Sequence, residues 1–232
     1  MKKISIVLSL AIILALLALT IWKTSIEGFS NILSVAVIAI LFLSYFYFEK
    51  SKMGTKEIAL IATISAFSAA ARVIFAPLPN IKPTTFLVAL SGLVFGPYEG
   101  FLVGSTGAFL SNIFLGQGPW TTWQMISWGI IGIISGFIGK TNRHISVEKF
   151  SILCFLYGFL FDWIMNLWHV AGFVRPLNLK TIALAYLTGL TFDIMHAGSN
   201  FVFSMIFYNN FLKVLNRFKK RMEITYEQEE LK

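Results

Sequence analysis

The chain has 232 residues, of which 56% are hydrophobic and only 13% are charged, and its mean hydropathy is +0.75. A water-soluble domain carries about 25% charged residues, so the composition excludes a soluble protein and indicates an integral membrane protein. The formal net charge of +8 indicates a partner only once the positions of the lysines and arginines along the chain are known. The single cysteine, Cys154, excludes a disulfide framework or a thiolate metal cluster.

Eight apolar runs predict an all-α integral membrane protein with eight transmembrane helices. The runs cover residues 4–22, 29–48, 57–76, 84–96, 98–115, 121–139, 149–171 and 180–212. The fourth run is short, so we expect its helix to tilt or to span the membrane incompletely. The eighth run is too long for one straight crossing. We expect its first turns in the membrane interface and its span near 192–212, about 30 Å at 1.5 Å per residue.

The first run follows Met1-Lys2-Lys3, as the apolar region of a signal peptide also would. It is long for such a region, and no Ala-x-Ala cleavage site precedes Trp22. We therefore expect a retained helix.

The distribution of cations predicts the orientation of the chain. With the N-terminus inside, 14 of the 19 lysines and arginines fall in cytosolic segments and 5 in outward segments. Cytosolic loops of membrane proteins carry an excess of Lys and Arg, so we place both termini in the cytosol and the protein in the cell membrane. Because topology accounts for the positive charge, we predict no nucleic-acid partner.

Three outward connections contain proline, which fixes φ and stiffens the chain. They are "APLPNIKPTT" (76–85), "LGQGPWTTW" (115–123) and "GFVRPLNLK" (172–180). The inward connections are ordinary charged linkers, so the difference indicates an outward-facing site. As an alternative, Trp120 and Trp123 anchor the chain at the membrane interface.

Two predicted helices each carry a carboxylate, an amide and an imidazole along one face. They are Asp162, Asn166 and His169 in the seventh helix, and Asp193, His196 and Asn200 in the eighth. Ionisable groups in hydrocarbon cost several kcal/mol unless they are paired or hydrated, so we expect them to face the bundle interior or an aqueous cavity. They could simply hold two helices together, but several polar and aromatic groups in the same layer favour a binding pocket. The additional polar and aromatic groups in this layer are Asn112, Gln117, Gln124 and Trp128.

Other uses of the same side chains have less support. Two Asp and two His could bind a transition metal, but the His-x-x-x-His spacing of a helical zinc site is absent. Ser199 lies three residues after His196, but no Gly-x-Ser-x-Gly or His-Glu-x-x-His hydrolase motif occurs. A proton-coupled carrier is the more serious alternative, because Asp–His pairs serve in such carriers. The chain is short for one and has no detectable internal repeat.

The third helix presents a flat face of small residues. Ala62, Ala66 and Ala70 lie at i, i+4 and i+8, a spacing that allows close approach of another helix. Packing within the bundle is the ordinary explanation of such a face.

From about residue 57 to 212 the chain resembles the substrate-binding S component of energy-coupling factor (ECF) vitamin transporters. The alanine face and the segments "FAPLPNIKPTTFLVALSGLVFGPYEGFLVG" and "GQGPWTTWQMISWG" carry the resemblance, which is greatest to the cobalamin-type branch. It implies a six-helix membrane core at 57–212, a two-helix N-terminal extension at 1–50 and a charged cytosolic tail at 213–232. In this family the alanine face, here Ala62, Ala66 and Ala70, docks on a transmembrane coupling subunit.

The resemblance also implies a binding subunit that performs no chemistry, with no cofactor and no bound metal. Because no Gly-x-x-x-x-Gly-Lys-Ser/Thr motif occurs, energy is expected from two partner ATPase subunits. The expected substrate is cobalamin or a related corrinoid; a smaller vitamin such as thiamin, riboflavin or niacin is the alternative. The predicted pocket residues are Asn80, Lys82, Gln117, Trp120, Gln124, Trp128, Asp162, Asn166, His169, Asp193 and His196. Arg72 and Arg175 are expected to be interface anchors, although either could meet an anionic group.

Overall fold

The computed structural model describes residues 26–49, 54–142 and 145–230, and all regular structure in these ranges is helical. The helices are α1 (Ile26–Glu49), α2 (Thr55–Ile74), α3 (Thr84–Phe95), α4 (Pro97–Leu115), α5 (Trp120–Thr141), α6 (Val147–Phe173) and α7 (Leu179–Glu230). Within these ranges α2, α5 and α6 are long and apolar enough to cross a membrane, and shorter apolar helices cover Leu33–Tyr47 and Thr84–Phe95.

The predicted helices from 29–48 onward correspond to these seven, and the predicted helix 4–22 lies outside the described residues. Most ends agree within about two residues. The exception is α7, which continues without interruption from Leu179 to Glu230 instead of ending near 212. The orientation of the termini stays a prediction.

Helix α3 lies at the centre of the bundle. It has 12 residues, and every residue from Thr84 to Val94 is buried, which agrees with the prediction of a short helix. α2, α4, α5, α6 and α7 surround it and all contact it. Around this ring, neighbours in sequence pack side by side from α4 to α7, and α2 packs against α4.

Helix α7 satisfies polar groups at both ends of α3. The side-chain oxygen of Asn200 accepts a hydrogen bond from the Phe86 amide at 2.9 Å, and Lys219 Nζ donates to the Val94 carbonyl at 2.5 Å. The first amides and last carbonyls of a helix have no partners within the helix. The short central helix is therefore held at both ends by side chains of one neighbour.

Glycines allow α3, α4 and α5 to approach to main-chain contact. A Cβ atom on Gly132 would collide with the main chain of Gly100, and one on Gly100 would lie 2.6 Å from the Gly132 carbonyl oxygen. A Cβ on Gly92 would meet the same carbonyl. Small residues permit such packing between helices in a membrane, where no hydrophobic effect drives association.

Helix α1 lies outside the ring, where it packs against α5 and α6 and forms hydrogen bonds to α4. Tyr45 shares hydrogen bonds with Ser105 and Thr106 at 2.9 and 2.8 Å, and Tyr98 donates to the Ser44 carbonyl at 3.1 Å. On another side the ring is open. There α2 and α7 meet through two ring pairs, Phe75–Phe203 at 5.2 Å and Phe67–Phe211 at 5.8 Å between centroids, and a groove lies between the two helices.

Candidate functional site

Polar side chains from every helix of the ring, from α3 and from the α2–α3 loop form one connected cluster. It lies at the end of the bundle that the cation distribution places outside. We call it the outer network. Its members are Arg72, Asn80, Lys82, Thr85, Ser111, Asn112, Gln124, Trp128, Asp162 and His196.

A chain of hydrogen bonds crosses the middle of the outer network. Trp128 Nε1 donates to Thr85 Oγ1 at 2.9 Å, Thr85 Oγ1 lies 3.0 Å from His196 Nε2, and His196 Nδ1 lies 2.9 Å from Asp162 Oδ2. Trp128, Thr85 and His196 are fully buried. The chain thus joins α5, α3, α7 and α6 in a water-excluded layer.

An indole N–H can only donate, so Thr85 Oγ1 accepts from Trp128 Nε1. An ionised carboxylate can only accept, so the contact of His196 Nδ1 with Asp162 is a bond in which His196 donates. In the neutral imidazole this places the proton on Nδ1, and Nε2 then accepts from the Thr85 hydroxyl.

At one end of the network Arg72 lies over the indole of Trp128. Its guanidinium carbon is 4.9 Å from the ring centroid, and Phe161 stacks at 4.1 Å between centroids. The side chain of Arg72 also donates from Nη1 to Ser111 Oγ and Asn112 Oδ1, at 2.5 and 2.7 Å. Arg72 therefore faces the bundle interior and not the membrane interface.

At the other end the α2–α3 loop reaches Asp162. Asn80 Nδ2 donates to both carboxylate oxygens at 3.3 Å and to the Phe192 carbonyl at 2.8 Å, and Lys82 Nζ donates to Asn80 Oδ1 at 2.8 Å. Asn80 adopts φ 51°, a left-handed conformation that asparagine tolerates. Burial lowers the pKa of Lys82 to about 8; the Arg72 guanidinium also lowers it, and the Asp162 carboxylate acts in the opposite direction.

Asp193 and Asn166 face each other beside Gly189, next to the network. Asp193 is 3% exposed, and its Oδ2 atom has no hydrogen-bond partner. Asn166 Nδ2 is also buried without a partner. A Cβ atom on Gly189 would lie 3.2 Å from Asn166 Nδ2 and 3.6 Å from Asp193 Oδ1. We call this pair of side chains the Asp193 corner. It contains one acceptor, Asp193 Oδ2, and one donor, Asn166 Nδ2, that have no hydrogen-bond partner.

Two predicted pocket residues, Trp120 and His169, lie outside the network, and a third, Gln117, reaches it only through Thr121. Gln117 Nε2 donates to the Phe109 carbonyl at 3.0 Å, and its Oε1 accepts from Thr121 Oγ1 at 2.9 Å, which in turn accepts from Asn112 Nδ2 at 2.9 Å. Trp120 is 37% exposed, and its ring makes an edge-to-face contact with that of Trp168 at 6.4 Å between centroids. His169 is exposed and stacks on Phe173 at 5.8 Å. The other eight predicted residues lie in the network or at the Asp193 corner.

Thr85 and Ser111 were not among the predicted site residues, and Arg72 was expected to be an interface anchor that could alternatively meet an anionic group. A signal was present for Arg72, because it shares a helix face with Ser65, Ser68 and Ala69, all of which are buried. Asn200 belongs to the same stripe as His196, but its hydrogen bond to α3 gives it a structural role. No three His, Cys, Asp or Glu side chains in the described ranges are placed to hold a metal ion.

The alanine face lies on the outer surface of α2. Ala62, Ala66 and Ala70 are all exposed among the described helices. Beside them the groove between α2 and α7 has a volume of about 970 Å³ and is lined mainly by apolar side chains, including Leu60, Leu90 and Phe211. An exposed small-residue face thus borders an apolar groove in the half of the bundle opposite to the outer network.

Comparison with known proteins gives one family and several relatives. Residues 52–217 match the model of the family described as ECF-type riboflavin transporter, S component. A UPF0397 protein of Aliivibrio salmonicida is 31% identical over 153 residues, covering 64% of this chain and 81% of the relative. A UPF0397 protein of Aliivibrio fischeri is 32% identical over 146 residues, covering 61% of this chain and 75% of the relative. A UPF0397 protein of Clostridium perfringens is 38% identical over 96 residues, covering 38% of this chain and 50% of the relative. No solved structure matches the chain.

Proposed function

The chain belongs to the ECF-type riboflavin transporter S component family, and on that premise we propose that it binds an organic micronutrient for an ATP-driven importer. The observation that supports this most directly is the outer network: ten polar side chains, seven of them buried, converge at one end of a membrane bundle. Ligand sites combine apolar walls with a few convergent polar groups, and this end of the bundle has both.

We propose a substrate with a flat ring system. The loops around Pro79 and Pro119 resemble those of the cobalamin-type branch, which supports a corrinoid; the description of the matched family names riboflavin. Trp128 is covered on one face by Arg72 and on the other by Phe161. A ring that stacks on this indole therefore has to replace one of them.

The experiment is isothermal titration of the purified protein in detergent against cobalamin, cobinamide, riboflavin, thiamin and niacin. Nanomolar affinity corresponds to about −12 kcal/mol, so a true substrate stands clear of the others. Tight binding of a corrinoid supports the first assignment, and tight binding of riboflavin replaces it. Binding of none of the five contradicts the proposed function.

For energy we propose a transmembrane coupling subunit with two ATPase subunits. The exposed alanine face and the adjoining groove provide a surface on which a helix can pack closely. Uptake by cells or liposomes should therefore require both ATP and the coupling module.

A proton-coupled carrier is the second candidate, because the buried His196–Asp162 pair at 2.9 Å is an arrangement that such carriers use. The two functions differ in what the chain does alone. Uphill substrate movement in liposomes that contain only this protein, driven by a proton gradient, would establish the carrier and remove the need for a coupling subunit.

A further inference from the structure

Arg72 is a buried cation whose partners are all neutral. Only 5% of its surface is exposed. Besides the Nη1 bonds to Ser111 and Asn112, its Nη2 donates to Gln124 Oε1 at 3.1 Å. The Nε atom is buried and has no hydrogen-bond partner. Among the described residues, no carboxylate lies within salt-bridge distance of this guanidinium.

The carboxylates of the site are engaged elsewhere. Asp162 accepts from His196 and from Asn80, and the route from Arg72 to Asp162 passes through Trp128, Thr85 and His196. A buried charge is costly unless an opposite charge or hydrogen bonds compensate it. The three neutral oxygens around Arg72 compensate it only in part, because two of its five N–H groups, one on Nε and one on Nη2, have no acceptor.

The neutral partners fix the guanidinium in one orientation. Asn112 Nδ2 donates to Thr121 Oγ1 at 2.9 Å and to Gln124 Oε1 at 2.8 Å, so the acceptors on Arg72 are themselves held in place. Nη1 carries two bonds, whereas the edge formed by Nε and Nη2 carries one long bond. That edge has the geometry with which arginine binds the two oxygens of a carboxylate or phosphate.

We propose that Arg72 binds an anionic group of the transported substrate, a carboxylate or a phosphate, through its Nε–Nη2 edge. This inference rests on the proposed function, because it assigns a chemical class to the substrate of the same site. An oxygen of the substrate replaces Gln124 Oε1 as the acceptor of the 3.1 Å hydrogen bond from Arg72 Nη2. Gln124 Oε1 keeps the hydrogen bond that it accepts from Asn112. Lys82, at the other end of the network, adds a second positive charge that interacts with that of Arg72.

The test compares ligands that differ only in the anionic group. The pairs are riboflavin 5′-phosphate with riboflavin, nicotinate with nicotinamide, and cobinamide phosphate with cobinamide. In the pair that contains the substrate's ring system, we expect the anionic member to bind the wild-type protein at least tenfold more tightly in titration calorimetry. This comparison needs no variant, so misfolding of a mutant cannot obscure it.

Variants then assign the preference to Arg72. Arg72→Gln should remove the tenfold difference, and Arg72→Lys should restore part of it, because lysine keeps the charge without the bidentate edge. Arg175→Gln is the matched control: Arg175 lies at the same end of the bundle but is exposed, bonding the carbonyls of Ala171 and Val174. It should leave both affinities unchanged.

The outcomes separate the inference from the proposed function. Equal affinity for both members of the binding pair overturns the anion inference and leaves the micronutrient-binding function intact. Retention of the full preference in Arg72→Gln overturns it as well. If none of the six compounds binds, the inference and the proposed function both fail.

Discussion

Replacing Thr85 by valine should destabilise the protein more than the loss of one hydroxyl group suggests. Thr85 Oγ1 serves two partners at once, the indole N–H of Trp128 at 2.9 Å and His196 Nε2 at 3.0 Å, and all three side chains are fully buried. Valine fills the same volume but leaves both partners unsatisfied. A buried polar group without a partner costs about 1–3 kcal/mol, so the two together cost about 2–6 kcal/mol.

The matched control is Thr85→Ser, which keeps the hydroxyl and removes one methyl group, worth about 1 kcal/mol. The measurement is the free energy of unfolding of wild type and both variants in the same detergent, followed by tryptophan fluorescence. We expect Thr85→Val to lose clearly more free energy of unfolding than Thr85→Ser. It should also bind substrate more weakly, since His196 Nε2 loses its hydrogen-bond partner. A valine variant as stable as the serine variant would refute the hydrogen-bond chain.

Three further predictions concern packing, docking and protonation. Gly132→Ala should lower the free energy of unfolding by about 1–3 kcal/mol, because the new Cβ meets the main chain of α4. Gly198→Ala, with nothing within 4 Å of the added atom, should not lower it. Ala66→Trp should abolish co-purification with the coupling subunit and spare substrate binding, whereas the same change at Ala183, exposed on α7, should affect neither; loss of binding in Ala66→Trp would mean internal packing. Because burial lowers the pKa of Lys82 from 10.5 to about 8, the unfolded chain binds more protons between these values and stability should rise with pH there. In Lys82→Met this rise should be smaller, and an unchanged pH profile would contradict the lowered pKa.

Apolar runs predicted the helices well because a membrane span requires a long uninterrupted hydrocarbon surface. The same criterion missed the last part of α7. Residues after Leu212 are rich in Lys, Arg and Glu, which lower hydropathy but are good helix formers. Hydropathy therefore marks where a helix meets lipid and not where it ends.

The site was predictable where helix periodicity decides the facing side, and not where tertiary packing decides it. Asp162 and His196 were assigned from spacing, and they meet across α6 and α7. His169 shares the face of Asp162, but it lies in the last turns of α6, where it is exposed. Spacing along one helix carries no information on how far its neighbour covers it. The partnership of Thr85 with Trp128, which joins residues 43 apart in sequence, has no local signal at all.

The continuity of α7 gives the protein a helical arm beyond the predicted span, on the side that the cation distribution assigns to the cytosol. Residues 213–230 continue the helix for 18 positions beyond the predicted span, about 27 Å at 1.5 Å per residue. Transmembrane helices tilt by about 0–40° from the bilayer normal. A change of about 10° around Leu212 moves the far end of a 27 Å arm by about 5 Å, with no hinge in the described helix to absorb it. Reorientation of the bundle in the bilayer is thereby converted into lateral travel of the helix end, well beyond the predicted span.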